Sequence, residues 1–153
     1  MSVKIIEGDL LKASEDIICH QVNCQGFMGA GVAKAIKDKW PEVYWKYREH
    51  CTENTPEDLL GTVQFTTTNG FITVANLFAQ QFCSYDGGRY TSYDAFYECL
   101  EHIRDHIHPS KSLAFPYKVG SDRGGASWDV IYAMICDVLG GRDVTIYRLE
   151  ETA

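Results

Sequence analysis

Short apolar runs rich in β-branched residues alternate along this chain with longer segments of helical period. That alternation leaves few options. Strands separated by helices pair into a mixed, mostly parallel sheet with helices packed on its faces. Val3 to Glu7 reads as a short strand and Asp16 to Val22 (DIICHQV) as a buried one. Gly29 to His50 carries Ala, Lys, Ile, Val and Trp at helical spacing. It reads as two helices, the second starting near Pro41, because proline suits a first helical turn. Thr62 to Thr68 and Phe71 to Asn76 flank Asn69-Gly70, a strong hairpin signal. Thr91 to His108 places Phe96, Leu100, Ile103 and Ile107 on one helical face. Ser112 to Phe115 reads as a strand, Trp128 to Leu139 as a helix ended by Gly140-Gly141, and Val144 to Leu149 as a last strand.

The 153 residues fit one domain spanning 1–153. A folded chain of that size buries about 70% of its unfolded surface, so no disulfide or metal is needed to hold a core. The net charge of −7 argues against a duplex nucleic-acid partner, which needs a Lys/Arg surface. A small anion remains compatible, because backbone N–H groups at a helix start can hold it without net positive charge. The six cysteines (19, 24, 51, 83, 99 and 136) form no C-x-x-C pair and no zinc spacing, so no metal is expected. They read as reduced thiols in a cytoplasmic protein. No apolar stretch reaches the ~18 residues of a membrane helix, and MSVKIIEGDLL is too short in its apolar run for a signal peptide.

Ligands on such sheets bind beyond the carboxyl ends of the strands, and two glycine-rich loops follow strands here. The first runs from Asn23 through Gly26, Phe27, Met28, Gly29, Ala30 and Gly31 to Val32-Ala33. It lacks G-x-G-x-x-G and the Gly-Lys-Ser/Thr of a P-loop. On glycine content alone it reads equally as a packing turn or as an anion cradle at a helix start. The second runs from Pro116 to Trp128 and holds Lys118, Gly120, Ser121, Asp122, Arg123, Gly124 and Gly125, with Ser127 as a candidate N-cap. Asp9, closing the first strand, reads as a turn aspartate or as the acceptor of a purine amine. Tyr147 reads as a core tyrosine or as a wall of a base pocket. His20 reads first as a core histidine and second as an acid or base facing the cleft. Tyr85, Arg89 and Tyr90 belong to a polar, glycine-rich loop over 84–90 that is either an ordinary loop or a cover for a ligand.

In order and spacing, Gly8-Asp9-Leu10, Asn23, the Gly26–Ala33 loop, the 116–125 loop and the closing Val144–Leu149 run resemble the macrodomain family. The Met-Gly-Ala-Gly-Val-Ala stretch is most similar to the branch of terminal ADP-ribose glutamate hydrolases. The resemblance implies a three-layer α/β/α domain with a cleft for ADP-ribose. Asp9 and Leu10 then meet the adenine, and Gly29, Ala30, Gly31 and Val32 hold the phosphates on one side. Gly120, Ser121, Asp122, Arg123, Gly124 and Gly125 close the other side. Asn23 and Asp122 lie near the distal ribose, and Tyr147 lines the base pocket. One departure matters: that branch carries a nucleophilic lysine after the middle strand, and Asn76 to Phe82 contains none. Lys118 is the nearest substitute by loop membership, set against an ordinary solvated lysine. Asp122 is then the expected catalytic carboxylate, activating water or a ribose hydroxyl, or else a binding group only. The expected function is hydrolysis of a 1″-linked ADP-ribose derivative: the 1″-phosphate, an O-acyl ester or an ADP-ribosylated side chain. The alternative is a reader that binds ADP-ribose without chemistry. The expected partner is ADP-ribose or a derivative, including an ADP-ribosylated protein, with no membrane, nucleic acid or cofactor.

Overall fold

The computed structural model describes residues 2–82, 90–121 and 124–149. Six strands form one sheet: β1 (Val3–Glu7), β2 (Ile17–Asn23), β3 (Val63–Thr67), β4 (Thr73–Gln80), β5 (Leu113–Pro116) and β6 (Val144–Arg148). The helices are α1 (Gly31–Lys39), α2 (Pro41–Glu53), the single turn α3 (Pro56–Leu59), α4 (Tyr93–His106) and α5 (Trp128–Leu139). The strand order is β1-β6-β5-β2-β4-β3. Every neighbouring pair is parallel except β3–β4. The mixed, mostly parallel three-layer α/β/α expectation therefore holds.

The layers follow from residue alternation along buried strands. On β2, Ile17 and Cys19 join Phe96, Ile103, Ile131 and Ile135 of α4 and α5 in one core. Ile18 and Val22 face the other way, onto Ile36, Val43 and Tyr47 of α1 and α2. β2 is thus apolar on both sides, which is why its sequence reads as a continuous run. Full burial of side chains such as Phe96, Leu100 and Phe115 contributes about 1.5–3 kcal/mol each relative to exposure.

Local chemistry sets the element ends. Ser92 caps α4, its Oγ accepting from the Ala95 N–H at 3.1 Å. Thr55 caps α3 in the same way. α1 and α2 meet at Trp40, with Pro41 opening the second helix. The hairpin is present, but its loop differs from a two-residue Asn-Gly turn, since neither Asn69 nor Gly70 takes positive φ. The Phe71 N–H donates to the Thr68 carbonyl (3.0 Å), and Phe71 itself turns left-handed at φ 65°. That is the three-residue hairpin solution, a turn followed by one left-handed residue. β4 continues four residues past Asn76 because it pairs with β2 as far as Asn23–Gln80. α3 and a 3-10 turn at Leu10–Lys12 were not expected from the sequence.

Candidate ligand-binding cleft

The carboxyl ends of β2, β5 and β6 open into two adjoining hollows of about 380 and 820 Å3. They share Val32, Pro116, Tyr117 and Lys118 as a common wall. The smaller hollow lies between the two glycine-rich loops, and the larger beside the first and last strands.

The first loop leaves β2 just after a shift of register, Val22 pairing with Phe78 and Asn23 with Gln80, so that the extra residue, Ala79, lies on β4. Asn23 then organises the loop. Its Oδ1 accepts from the Gln25 N–H (2.9 Å), and its Nδ2 donates to the Phe27 carbonyl (2.8 Å). The Tyr47 hydroxyl reaches both the Asn23 carbonyl and Oδ1, at 2.7 and 2.8 Å. The loop ends at Ala30, and no side chain caps α1. The first N–H groups of that helix, on residues that line the smaller hollow, have no intrahelical acceptor. Together with the helix dipole they favour an anion there.

The second loop is held to the sheet by a polar chain. Gln21 Nε2 donates to Gln80 Oε1 (3.0 Å) and Thr91 Oγ1 (2.8 Å), and Thr91 Oγ1 donates to the Gly120 carbonyl (2.8 Å). The Tyr90 and Thr91 N–H groups both donate to the Gly124 carbonyl. This clamp requires glycine at 124, where an added Cβ would lie 2.0 Å from Thr91 Oγ1 and 2.6 Å from the Gly120 carbonyl. Gly120 (φ 73°) and Lys118 (φ 62°) both take the left-handed conformation.

His20 and Asn76, paired across β2 and β4, face the α1–α2 side together. Asn76 Nδ2 donates to Gln64 Oε1 (3.1 Å), which turns Asn76 Oδ1 toward His20 Nε2 at 2.5 Å. The imidazole proton therefore sits on Nε2. Nδ1 is left as a buried acceptor with no partner among the described residues. Burial lowers the His20 pKa to about 4, the Asn76 bond opposing in part. At neutral pH the ring is uncharged, its Nε2 proton donated to Asn76.

In the larger hollow Asp9 caps the 3-10 turn, one carboxylate oxygen accepting from the Leu11 N–H at 3.0 Å. Tyr147 donates a short hydrogen bond to Glu15. Burial first, and then that bond, push its phenol up to about 12. A side chain at Gly8 would crowd the Tyr147 ring, at 3.1 Å.

The structure thus brings Asp9, Leu10 and Tyr147 together in one hollow and Asn23, Gly29, Ala30, Gly31, Gly120 and Gly124 in the other, with Val32 in both. Ser121 and Gly125 belong to the second loop but line neither hollow. Asp122 and Arg123 lie outside the described residues, as do Tyr85 and Arg89. Gln21, Gln80, Phe27, Tyr117 and Thr91 were missed. The signal available for the two glutamines was a polar side chain near the carboxyl end of a largely buried strand.

The family model for the Macro domain matches residues 19–135. The ADP-ribose 1″-phosphate phosphatase of Scheffersomyces stipitis is 40% identical over 68 residues, 39% of this chain and 39% of that protein. That of Neosartorya fischeri is 51% identical over 47 residues, 30% and 24% of the two chains. The matched stretch is therefore well under half of either relative. Among solved structures, a protein of unknown function from Bacteroides thetaiotaomicron is 27% identical with a TM-score of 0.83, covering 97% of this chain and 99% of that one. The macrodomain of Mycobacterium tuberculosis DarG is 25% identical with a TM-score of 0.75, covering 95% and 96%. Thermosipho africanus DarTG, solved in complex with ADP-ribose, shares the fold at 20% identity and a TM-score of 0.80, over 97% of this chain and 42% of that one. The family match runs from the buried part of β2 into α5 and takes in both loops that frame the cleft: the chain belongs to the Macro domain family.

Proposed function

We propose that this protein binds ADP-ribose across the two hollows and releases it from a 1″-linked derivative, with ADP-ribose 1″-phosphate the first substrate to test. The observation that carries the reading is the joined pair of hollows beyond parallel strands. One offers Asp9 and Tyr147 to a base, and the other faces the uncapped start of α1, suited to a phosphate. The phosphatase names of the fungal relatives and the ADP-ribose complex of a structural neighbour support the ligand class. Hydrolysis of the 1″-phosphate adds water across the ester, giving ADP-ribose and inorganic phosphate. Asp122 is the group proposed to assist that water.

Calorimetry with ADP-ribose tests binding. Micromolar affinity for the wild type and at least tenfold weaker binding by Asp9→Ala are expected. Phosphate release from ADP-ribose 1″-phosphate, lost in Asp122→Ala, tests the chemistry. A second reading, a reader without chemistry, is favoured by the absence of lysine from Asn76 to Phe82 and by an Asn23 amide already engaged within its loop. Tight ADP-ribose binding with no turnover of phosphate, acyl or protein conjugates would establish it.

A further inference from the structure

Lys118 occupies an unusual backbone position. The second loop turns left-handed at Lys118, Gly120 and Gly125. Glycine fills two of those positions at no steric cost, while the remaining one carries a long cationic side chain at φ 62°. The turn is fixed on both sides, the Val119 N–H donating to the Pro116 carbonyl (3.2 Å) and the Ser121 N–H to the Lys118 carbonyl (2.9 Å). Backbone strain of this kind clusters at ligand sites, and here the side chain stands on the wall of one.

Its place in the cleft indicates what that is. Lys118 lines both hollows, on the wall they share. It is the one charged residue among the described walls of the smaller hollow, where His20 is neutral. In the larger hollow Arg148 is already matched by Glu7 at 3.7 Å. No described carboxylate lies within ion-pair distance of Lys118. Across the junction Val32, in the first turn of α1, also lines both hollows. A ligand running from one hollow to the other passes between a helix N-terminus and this ammonium.

We propose that Lys118 is the cation that neutralises the ligand's diphosphate at the junction of the two hollows, an addition to the backbone cradle of α1. The proposal rests on the ADP-ribose reading above. It also answers an electrostatic difficulty: a chain of net charge −7 repels an anionic ligand, and a cation at the crossing that rests 5.7 Å over the Tyr117 ring, with no described carboxylate to match it, offsets that locally.

The test is ADP-ribose calorimetry at low and high salt on wild type, Lys118→Met and Lys118→Arg, with adenosine followed by chemical-shift titration as the uncharged control. Methionine keeps the stem and the backbone demand and removes only the charge. Expected is a roughly tenfold loss of ADP-ribose affinity in Lys118→Met, near-complete retention in Lys118→Arg, unchanged adenosine shifts, and a weaker salt dependence in the methionine variant. Equal ADP-ribose affinity in Lys118→Met would overturn the proposal while leaving the ligand reading intact. So would a parallel loss of adenosine binding, which would make Lys118 a prop for the wall rather than a phosphate contact. Failure of folded wild type to bind ADP-ribose at all would overturn both.

Discussion

Single atoms decide the behaviour of several positions. His20 is 1% exposed, and burial holds it neutral with a pKa of about 4, against 6.5 when unfolded. The unfolded chain therefore binds the extra proton between those values. His20 contributes full stability above about pH 6.5 and loses it as pH falls toward 4. Between pH 7 and pH 5 this amounts to about 2 kcal/mol. Urea unfolding at the two pH values should show a correspondingly flatter dependence in His20→Gln, and an unchanged slope would mean the ring is not held neutral. Phe71 is the opposite case, 90% exposed and left-handed. Phe71→Gly removes ~1–2 kcal/mol of backbone strain against a smaller gain in unfolded-state entropy, so the melting temperature should rise by about 2 °C. A fall would show that the ring makes a contact its exposure conceals. Gly124→Ala should cost roughly 2–4 kcal/mol, because the new methyl falls on backbone and hydroxyl oxygens that cannot both retreat.

Among elements, the sequence was most legible where burial made a run uniformly apolar or strictly periodic. β1 and α5 occupy the ranges read from pattern alone, and Pro41 opens α2 as its ring geometry demands. The hairpin was legible as a hairpin, but the residue that turns left-handed was not, since Asn69-Gly70 is compatible with either loop length. Least legible was the clamp on the second loop. Its bonds join Gln21 to Thr91 and Thr91 to Gly120, 70 and 29 residues apart, and no local pattern encodes such contacts. In the candidate cleft, Asp9, Tyr147 and the start of α1 were read from their places at strand and helix ends, each beside a plainer alternative, and the resemblance chose between them, while Gln21, Gln80 and Thr91 needed coordinates. The clamp makes its own prediction. Thr91→Val keeps shape but removes a donor and an acceptor, leaving the Gly120 carbonyl and the Gln21 amide short of partners, at a cost of about 1–3 kcal/mol. Amide exchange should then quicken in the 117–121 segment and at Gly124 while α2 stays protected. Uniform quickening would assign Thr91 to the general core instead.

For the whole molecule, ligand and fold share one free energy. ADP-ribose at a hundred times its dissociation constant should stabilise the protein by about 2.7 kcal/mol, raising the melting temperature by several degrees. An unchanged melting temperature at that occupancy would mean the unfolded chain binds equally well, which a cleft assembled from β2, β5, β6 and α1 does not allow. β2 sits at the centre of this assembly, and its burial on both faces has a less obvious effect. A strand with one wet face is held in register because sliding by one residue would expose its apolar side. β2 has no such penalty, since Ile17, Ile18 and Cys19 are apolar whichever way they face. What forbids the slip is that His20 must meet Asn76 on one side while Gln21 meets Gln80 and Thr91 on the other. The polar residues at the mouth of the cleft thus act as the alignment marks of the sheet, and weakening them to alter what the cleft holds would loosen the frame that shapes it.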